Sequence, residues 1–199
     1  MDNGAGNIVL TYLELMDQQR AQLFADLEGI SDADVWQVPG EKDWSIGENL
    51  DHLRAINSST LTLFKITWLF LKPLAKIRYD RSYQVDIDNV YKRPGFPLNT
   101  GWIWPPKYTP SKPTTLDVLK GNLTKTHADI RKFFTGKDPD YLGHVSLYDP
   151  VMGWLNLIRA LRVGLYHDDL HLEQIQEVKL RLGYSSPGQQ EPGSNKFAK

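Results

Sequence analysis

The chain has no cysteine. That absence excludes disulfides, thiolate metal ligands, iron–sulfur clusters and a cysteine nucleophile. It fits a cytoplasmic protein. An excess of one charge is also lacking. The 23 Lys+Arg stand against 24 Asp+Glu, a formal net charge of -1, so no overall field draws the chain to nucleic acid or an anionic membrane. A local basic patch remains open. Long hydrophobic runs are missing as well. The longest, about Ile66 to Leu71, falls far short of the ~20 residues that span a bilayer. The opening MDNGAGNIVL has neither a basic n-region nor an apolar h-region, which predicts no signal peptide. The 199 residues are 41% hydrophobic and 11% aromatic. They suit one domain with a real core rather than a disordered chain.

Periodicity predicts four long helices. The first spans about 6–29, with Val9, Leu13, Met16, Leu23, Leu27 and Ile30 on one stripe and Gly29 as its stop. One short helical turn is expected within Ser31–Trp36. The second opens at Ser45, where Ser45 and Glu48 have capping-box spacing. Ile46, Leu50, Leu53, Asn57, Leu61, Phe64 and Trp68 continue its stripe, and Pro73 should disturb or end it. The third starts near Thr114 or Thr115, carries Leu116, Leu119, Leu123, His127, Ile130 and Phe134, and stops at Gly136. The fourth is expected to begin at Asp149-Pro150, a cap followed by proline, and to run to Leu182.

Residues 79–113 break the pattern. Half of the 12 prolines fall between Pro94 and Pro113. Such long irregular connections are functional, disordered or crossovers. This one also holds Phe96, Trp102, Ile103, Trp104 and Tyr108, which suit packing over one end of the domain. Tyr83–Val90 alternates weakly, at most a strand. The fold class is therefore all-α, a helical bundle over residues 1–184 with a loose polar tail at 185–199.

Chemistry concentrates in the histidines. His167 and His171 sit at i and i+4, which places both imidazoles on one helix face about 6 Å apart along the axis. The spacing equally fits two surface histidines or two ligands of one metal. A zinc-protease helix would carry Glu after its first histidine; here Asp168 stands there. Gly164 and Ala160, one and two turns before the pair, leave room beside the rings. Asp168 falls near the Leu161–Leu165–Leu172 stripe, where a buried carboxylate needs a partner such as an imidazole on a neighbouring helix. His52 is the candidate third ligand, with His127 in reserve or in the pocket. His144 suits a loop with a solvated or capping role.

Two segments resemble a known family. Trp44-Ser45-Ile46-Gly47-Glu48-Asn49-Leu50-Asp51-His52-Leu53 is similar to the W-S-x-x-E-x-x-x-H-L segment of the DinB-like (YfiT-like) metalloenzymes. His167-Asp168-Asp169-Leu170-His171-Leu172-Glu173-Gln174-Ile175 is similar to their H-x-x-x-H-x-x-Q-I. The resemblance covers roughly residues 6–182. It implies a four-helix bundle in up-down-down-up order, for which the Pro-rich 79–113 segment would be the crossover between the second and third helices. It also implies a divalent metal (Ni, Zn, Fe or Mn) on His52, His167 and His171, and a homodimer. Relatives include bacillithiol transferases and a mycothiol-dependent maleylpyruvate isomerase. Where related sequences often place His-Pro, this chain has Asp149-Pro150.

Three imidazoles leave such an ion an open position for water or a small thiol. With no cysteine in the chain, the sulfur would come from a cosubstrate. The expected function is a metal-dependent transferase or hydrolase acting on a small molecule, with a low-molecular-weight thiol as the leading cosubstrate. The alternatives are a non-catalytic ligand-binding bundle and a plain bundle with incidental histidines. Asp168 is a candidate orienter of the ligands. Glu48 is assigned to the capping box and Gln174 to ligand contact or the bundle end. Tyr166 and Trp154 are assigned to packing.

Overall fold

The computed structural model describes residues 4–41, 43–79, 81–96 and 113–184. Trp102, Ile103, Trp104, Tyr108 and the 185–199 tail lie outside the described residues. The architecture is mostly helical. Among the described residues there are four long helices: α1 (Gly4–Asp26), α3 (Ile46–Ala75), α4 (Leu116–Phe134) and α6 (Leu157–Arg181). Two short ones accompany them, α2 (Asp32–Val35) and α5 (Pro139–His144), with one hairpin of β1 (Ser146–Asp149) and β2 (Gly153–Asn156). No described helix is long and apolar enough to cross a membrane.

The starts follow from capping. Ser45 accepts a hydrogen bond from the Glu48 amide while Glu48 accepts one from the Ser45 amide, a complete capping box at the head of α3. Thr115 caps α4 and Ser31 caps α2. Gly29 and Gly136 sit at positive φ where α1 and α4 have ended, a conformation that favours glycine. Gly47 has a different reason: a Cβ there would lie 2.8 Å from the Trp36 indole. That indole also donates to the Thr114 carbonyl at 2.7 Å, tying the head of α3 to the head of α4.

Every apolar position named on the stripes of α1, α3 and α4 is buried, apart from a half-buried Trp68. The core falls into two clusters. One takes Leu23 and Leu27 from the end of α1, Ile46 to Leu53 from the start of α3, Leu116 to Leu123 from the start of α4, and Ile175 and Val178 from the end of α6. The other takes Val9 to Met16, Leu61 and Phe64, Ile130 to Phe134, and Leu157 to Leu165. Leu13, Leu27, Leu50 and Leu157 have no exposed surface, so truncating any of them to Ala should cost about 2–5 kcal/mol.

The structure corrects three expectations and narrows a fourth. α6 begins at Leu157, not at Asp149. Asp149 Oδ1 accepts from the Val151 and Met152 amides, both at 2.8 Å, and turns the chain. Pro150 fits that turn and Gly153 closes it at φ +77°, giving a three-residue hairpin with Asp149 paired to Gly153. Asn156 is the true cap of α6, accepting from the Arg159 amide at 2.9 Å. Pro73 disturbs α3 without ending it, since the helix runs two residues further. The carbonyl it leaves without a helical donor is that of Leu69, on an exposed face where water can reach it. Tyr83–Val90 forms no strand. His144 lies in the last turn of α5, with Nδ1 2.6 Å from the Asp140 carbonyl and Nε2 3.0 Å from the Arg81 carbonyl.

Candidate metal centre

α3 and α6 pack against each other, and their facing surfaces bring three imidazoles together. His52 lies in the second turn of α3, and His167 and His171 project from adjacent turns of α6. One ring nitrogen from each lies within 4.8 Å of the others. Ring centroids are 4.7 Å apart for His52 and His171, 5.3 Å for His52 and His167, and 4.6 Å for His167 and His171. No other such group of three metal-ligating side chains occurs among the described residues.

The electrostatics keep these rings neutral. Burial pushes His52 down to about 4, and the neighbouring His167 adds to the effect while Asp51 and Asp168 oppose it. Burial lowers His167 too, against Asp168. His171 falls well below the ordinary imidazole value through burial and then through its two histidine neighbours, with Gln174 opposing. Neutral imidazole is the form that ligates a metal, because its second nitrogen carries a lone pair.

The tautomer of His171 is fixed by its surroundings. Asn49 donates its amide to the Ser45 carbonyl at 2.9 Å, which leaves its Oδ1 facing His171 Nδ1 at 2.8 Å. Nδ1 therefore carries the proton and Nε2 has the lone pair. Trp44 stacks on His171 (5.9 Å, 13°) and meets His52 edge-on at 5.0 Å, while Tyr91 lies 5.7 Å from His167. Sequence reasoning gave none of these three residues a role. The signal for Trp44 and Asn49 was present, since Asn49 stands three residues before His52 on the same helix face. Tyr91, in a 3-10 turn of the irregular connection, left no periodic signal.

The other candidates sit elsewhere. His127 is not part of the triad. It is 3% exposed, with Nε2 3.5 Å from Asp168 Oδ2, and Asn57 donates to Asp168 Oδ1 at 3.2 Å. This is the imidazole partner that a buried Asp168 required, and it occupies Asp168 away from the triad's nitrogens. Each nearby carboxylate is engaged. Glu48 caps α3, Asp51 holds Arg54 at 2.9 Å, and Asp169 accepts from Gln19 at 2.5 Å. A Cβ at Gly164 would meet nothing within 4 Å, so the space expected beside the histidines exists. Tyr166 packs and donates to the Ile87 carbonyl at 3.1 Å. Trp154 does not pack; it is 68% exposed.

The donor set fits a divalent transition metal. Nitrogens bound at ~2.0–2.1 Å to one tetrahedral ion stand ~3.3–3.4 Å apart, inside the 4.8 Å limit of the cluster. All three donors are imidazoles driven toward the neutral form, the ligand type that Zn, Ni, Fe and Cu share.

The family model of the DinB superfamily matches residues 15–175. The uncharacterized protein YuaE of Bacillus subtilis (strain 168) is 24% identical over 177 residues, covering 85% of this chain and 98% of that one. Among solved structures, YfiT from Bacillus subtilis superposes with a TM-score of 0.56 and 16% identity over 89% of each chain. That protein is described as a probable metal-dependent hydrolase with an unusual four-helix bundle topology. At this identity the likeness establishes a shared fold.

Proposed function

The chain belongs to the DinB superfamily, and we propose that it is a metal-dependent enzyme acting on a small molecule, with His52, His167 and His171 as the metal ligands. The observation that carries this reading is the convergence of three neutral imidazole nitrogens within 4.8 Å. A divalent ion held by His52, His167 and His171 would supply Lewis acidity, which favours the nucleophilic, deprotonated form of a small thiol.

A thiol cosubstrate is preferred to water on the surroundings of the triad. Glu48, Asp51, Asp168 and Asp169 each hold another partner, so a hydrolytic water would depend on the metal alone for its activation. Trp44 and Tyr91 instead wall the triad with aromatic surface, which suits the apolar part of an electrophile. Asn49 orients His171. The hydrolase description of YfiT is the competing outcome.

The helix order is read as up-down-down-up, with residues 79–113 as the crossover. Support comes from the two core clusters, in which the starts of α3 and α4 meet the ends of α1 and α6.

The test is elemental analysis of the tag-free protein, then turnover of a chromogenic electrophile with and without a small thiol. One metal per chain, lost in His52→Ala and His167→Ala, together with thiol-dependent turnover, supports the proposal. Thiol-independent hydrolysis of esters would move the chain to the hydrolase reading. Bound metal without turnover of either kind would leave a binding module, and no bound metal after supplying Ni, Zn, Fe and Mn in turn would remove the site.

A further inference from the structure

A second site is written in the arginines. Arg20, Arg54, Arg131, Arg162 and Arg181 each reach a carboxylate. Of the other four, Arg78, Arg81 and Arg159 line one cleft of ≈ 300 Å³. Among the described residues no carboxylate lines it. Arg159 Nε is buried with no hydrogen-bond partner. A buried guanidinium donor left without an acceptor is costly to the fold, and an anion in the cleft would relieve it.

The cleft is built rather than incidental. Its 81–84 wall is pinned on three sides: His144 Nε2 stands 3.0 Å from the Arg81 carbonyl, Tyr83 donates to Asp140 at 2.7 Å, and Asn156 donates to the Gln84 carbonyl at 2.7 Å. Gly143 lets the Tyr83 ring lie flat against α5, since a Cβ there would sit 2.2 Å from it. Ser82 and Ser146 add hydroxyls to the lining.

At Ser146 and Trp154 this polar cleft meets a second, mainly apolar one of ≈ 310 Å³, lined by Leu63, Leu71 and Leu147, with Thr67 and Asp149 as its further polar side chains. Trp154 projects between the two, paired with Tyr148 at 5.5 Å. The cleft shares no residue with the triad: Arg78 follows the end of α3, and Arg159 is in the first turn of α6, eight residues or about 12 Å of helix before His167.

We propose that Arg78, Arg81 and Arg159 form a binding site for a phosphate-type oxyanion ester whose apolar body crosses Trp154 into the Leu63–Leu71–Leu147 groove. Three guanidiniums match the oxygens of a phosphate monoester, and the exposed indole offers a stacking face. The site is separate from the triad and independent of what the triad does. Its ligand is either a soluble ester or a lipid headgroup, which share this chemistry.

The test uses the full chain in titration calorimetry, with inorganic phosphate and phenyl phosphate as probes. Phenyl phosphate should bind at least about tenfold more tightly than inorganic phosphate, through the aromatic contact. The exposed double variant Arg78→Gln/Arg81→Gln should weaken both probes at least about tenfold, and Trp154→Ala should remove only the phenyl advantage. His52→Ala should change neither. In a parallel arm, the protein is sedimented with phosphatidylcholine vesicles with and without phosphatidic acid. Retention that needs phosphatidic acid and the two arginines assigns the site to a headgroup; phenyl phosphate binding without retention assigns it to a soluble ester. No binding in either arm, binding that survives the double variant, or binding lost with His52→Ala would overturn the proposal.

Discussion

Two histidine clusters share α6 and do opposite things. At His167 and His171 the imidazoles face one another and His52, and burial drives them toward the neutral form. At Asp168, between those two positions in sequence, the side chain turns to the neighbouring helices and finds His127 and Asn57. His52 and His167 are half-buried and His171 buried, while His127 and Asp168 are both buried. In the triad imidazole faces imidazole; at Asp168 imidazole faces a carboxylate. Burial alone therefore does not mark a candidate ligand; what faces the ring does.

The sharpest way to break this comparison is to remove one ring from each cluster. His167→Ala should reduce the metal from one per chain to none while leaving the helical circular dichroism intact; metal content equal to wild type would refute the ligand assignment. His127→Ala should do the reverse. Metal content should hold, while stability falls by about 2–3 kcal/mol because a buried carboxylate loses its partner. Urea denaturation checks this, and an unchanged midpoint would mean that Asp168 finds another donor.

A smaller effect is expected one residue out from the triad. Asn49→Ala frees the His171 ring to rotate and change tautomer, and should weaken metal affinity about 10–100-fold without changing the metal-to-protein ratio at saturation. Competition with a chromophoric chelator measures it. Equal affinity would show that Asn49 serves only the α3 head.

The metal-free chain should also respond to pH. His52 has a folded value of about 4 against an ordinary 6.5. Between these values the unfolded chain binds a proton that the fold refuses, so stability should fall as pH drops from about 6.5 toward 4. A melting temperature that stays flat from pH 7.5 to 5 after chelation would contradict the neutral-triad picture. The least effect, about 1 kcal/mol, is expected for Ser45→Ala, which removes half of the capping box. It should lower the melting temperature of both the metal-loaded and the metal-free chain.

The sequence made the long helices legible wherever a stripe and a cap coincided, as at Ser45 and Thr115. It misled at Asp149-Pro150. An Asp-Pro pair can open a helix or turn a hairpin, and this chain contains both uses: Asp138-Pro139 caps α5, while Asp149-Pro150 turns β1 into β2. The deciding signal was Gly153, whose positive φ closes a three-residue loop and would have no purpose inside a helix. The triad was legible because its three histidines lie in two recognisable motifs, two of them at helical spacing. Tyr91 and the arginine cleft were not, since Tyr91, Arg78 and Arg159 reach their neighbours only through tertiary packing of segments with no shared period.

α3 joins the two sites. It carries His52 near its head, and Arg78 lies just beyond its tail, roughly 40 Å away along a continuous helical path. Such a helix works as a ruler with a rotational scale. One inserted residue would shift everything beyond it by ~1.5 Å and turn it by ~100°, carrying Arg78 away from Arg159 while His52 stays in place. Insertions and deletions in related chains should therefore be scarce between these two positions and concentrate in the stretch that follows, where length carries no phase.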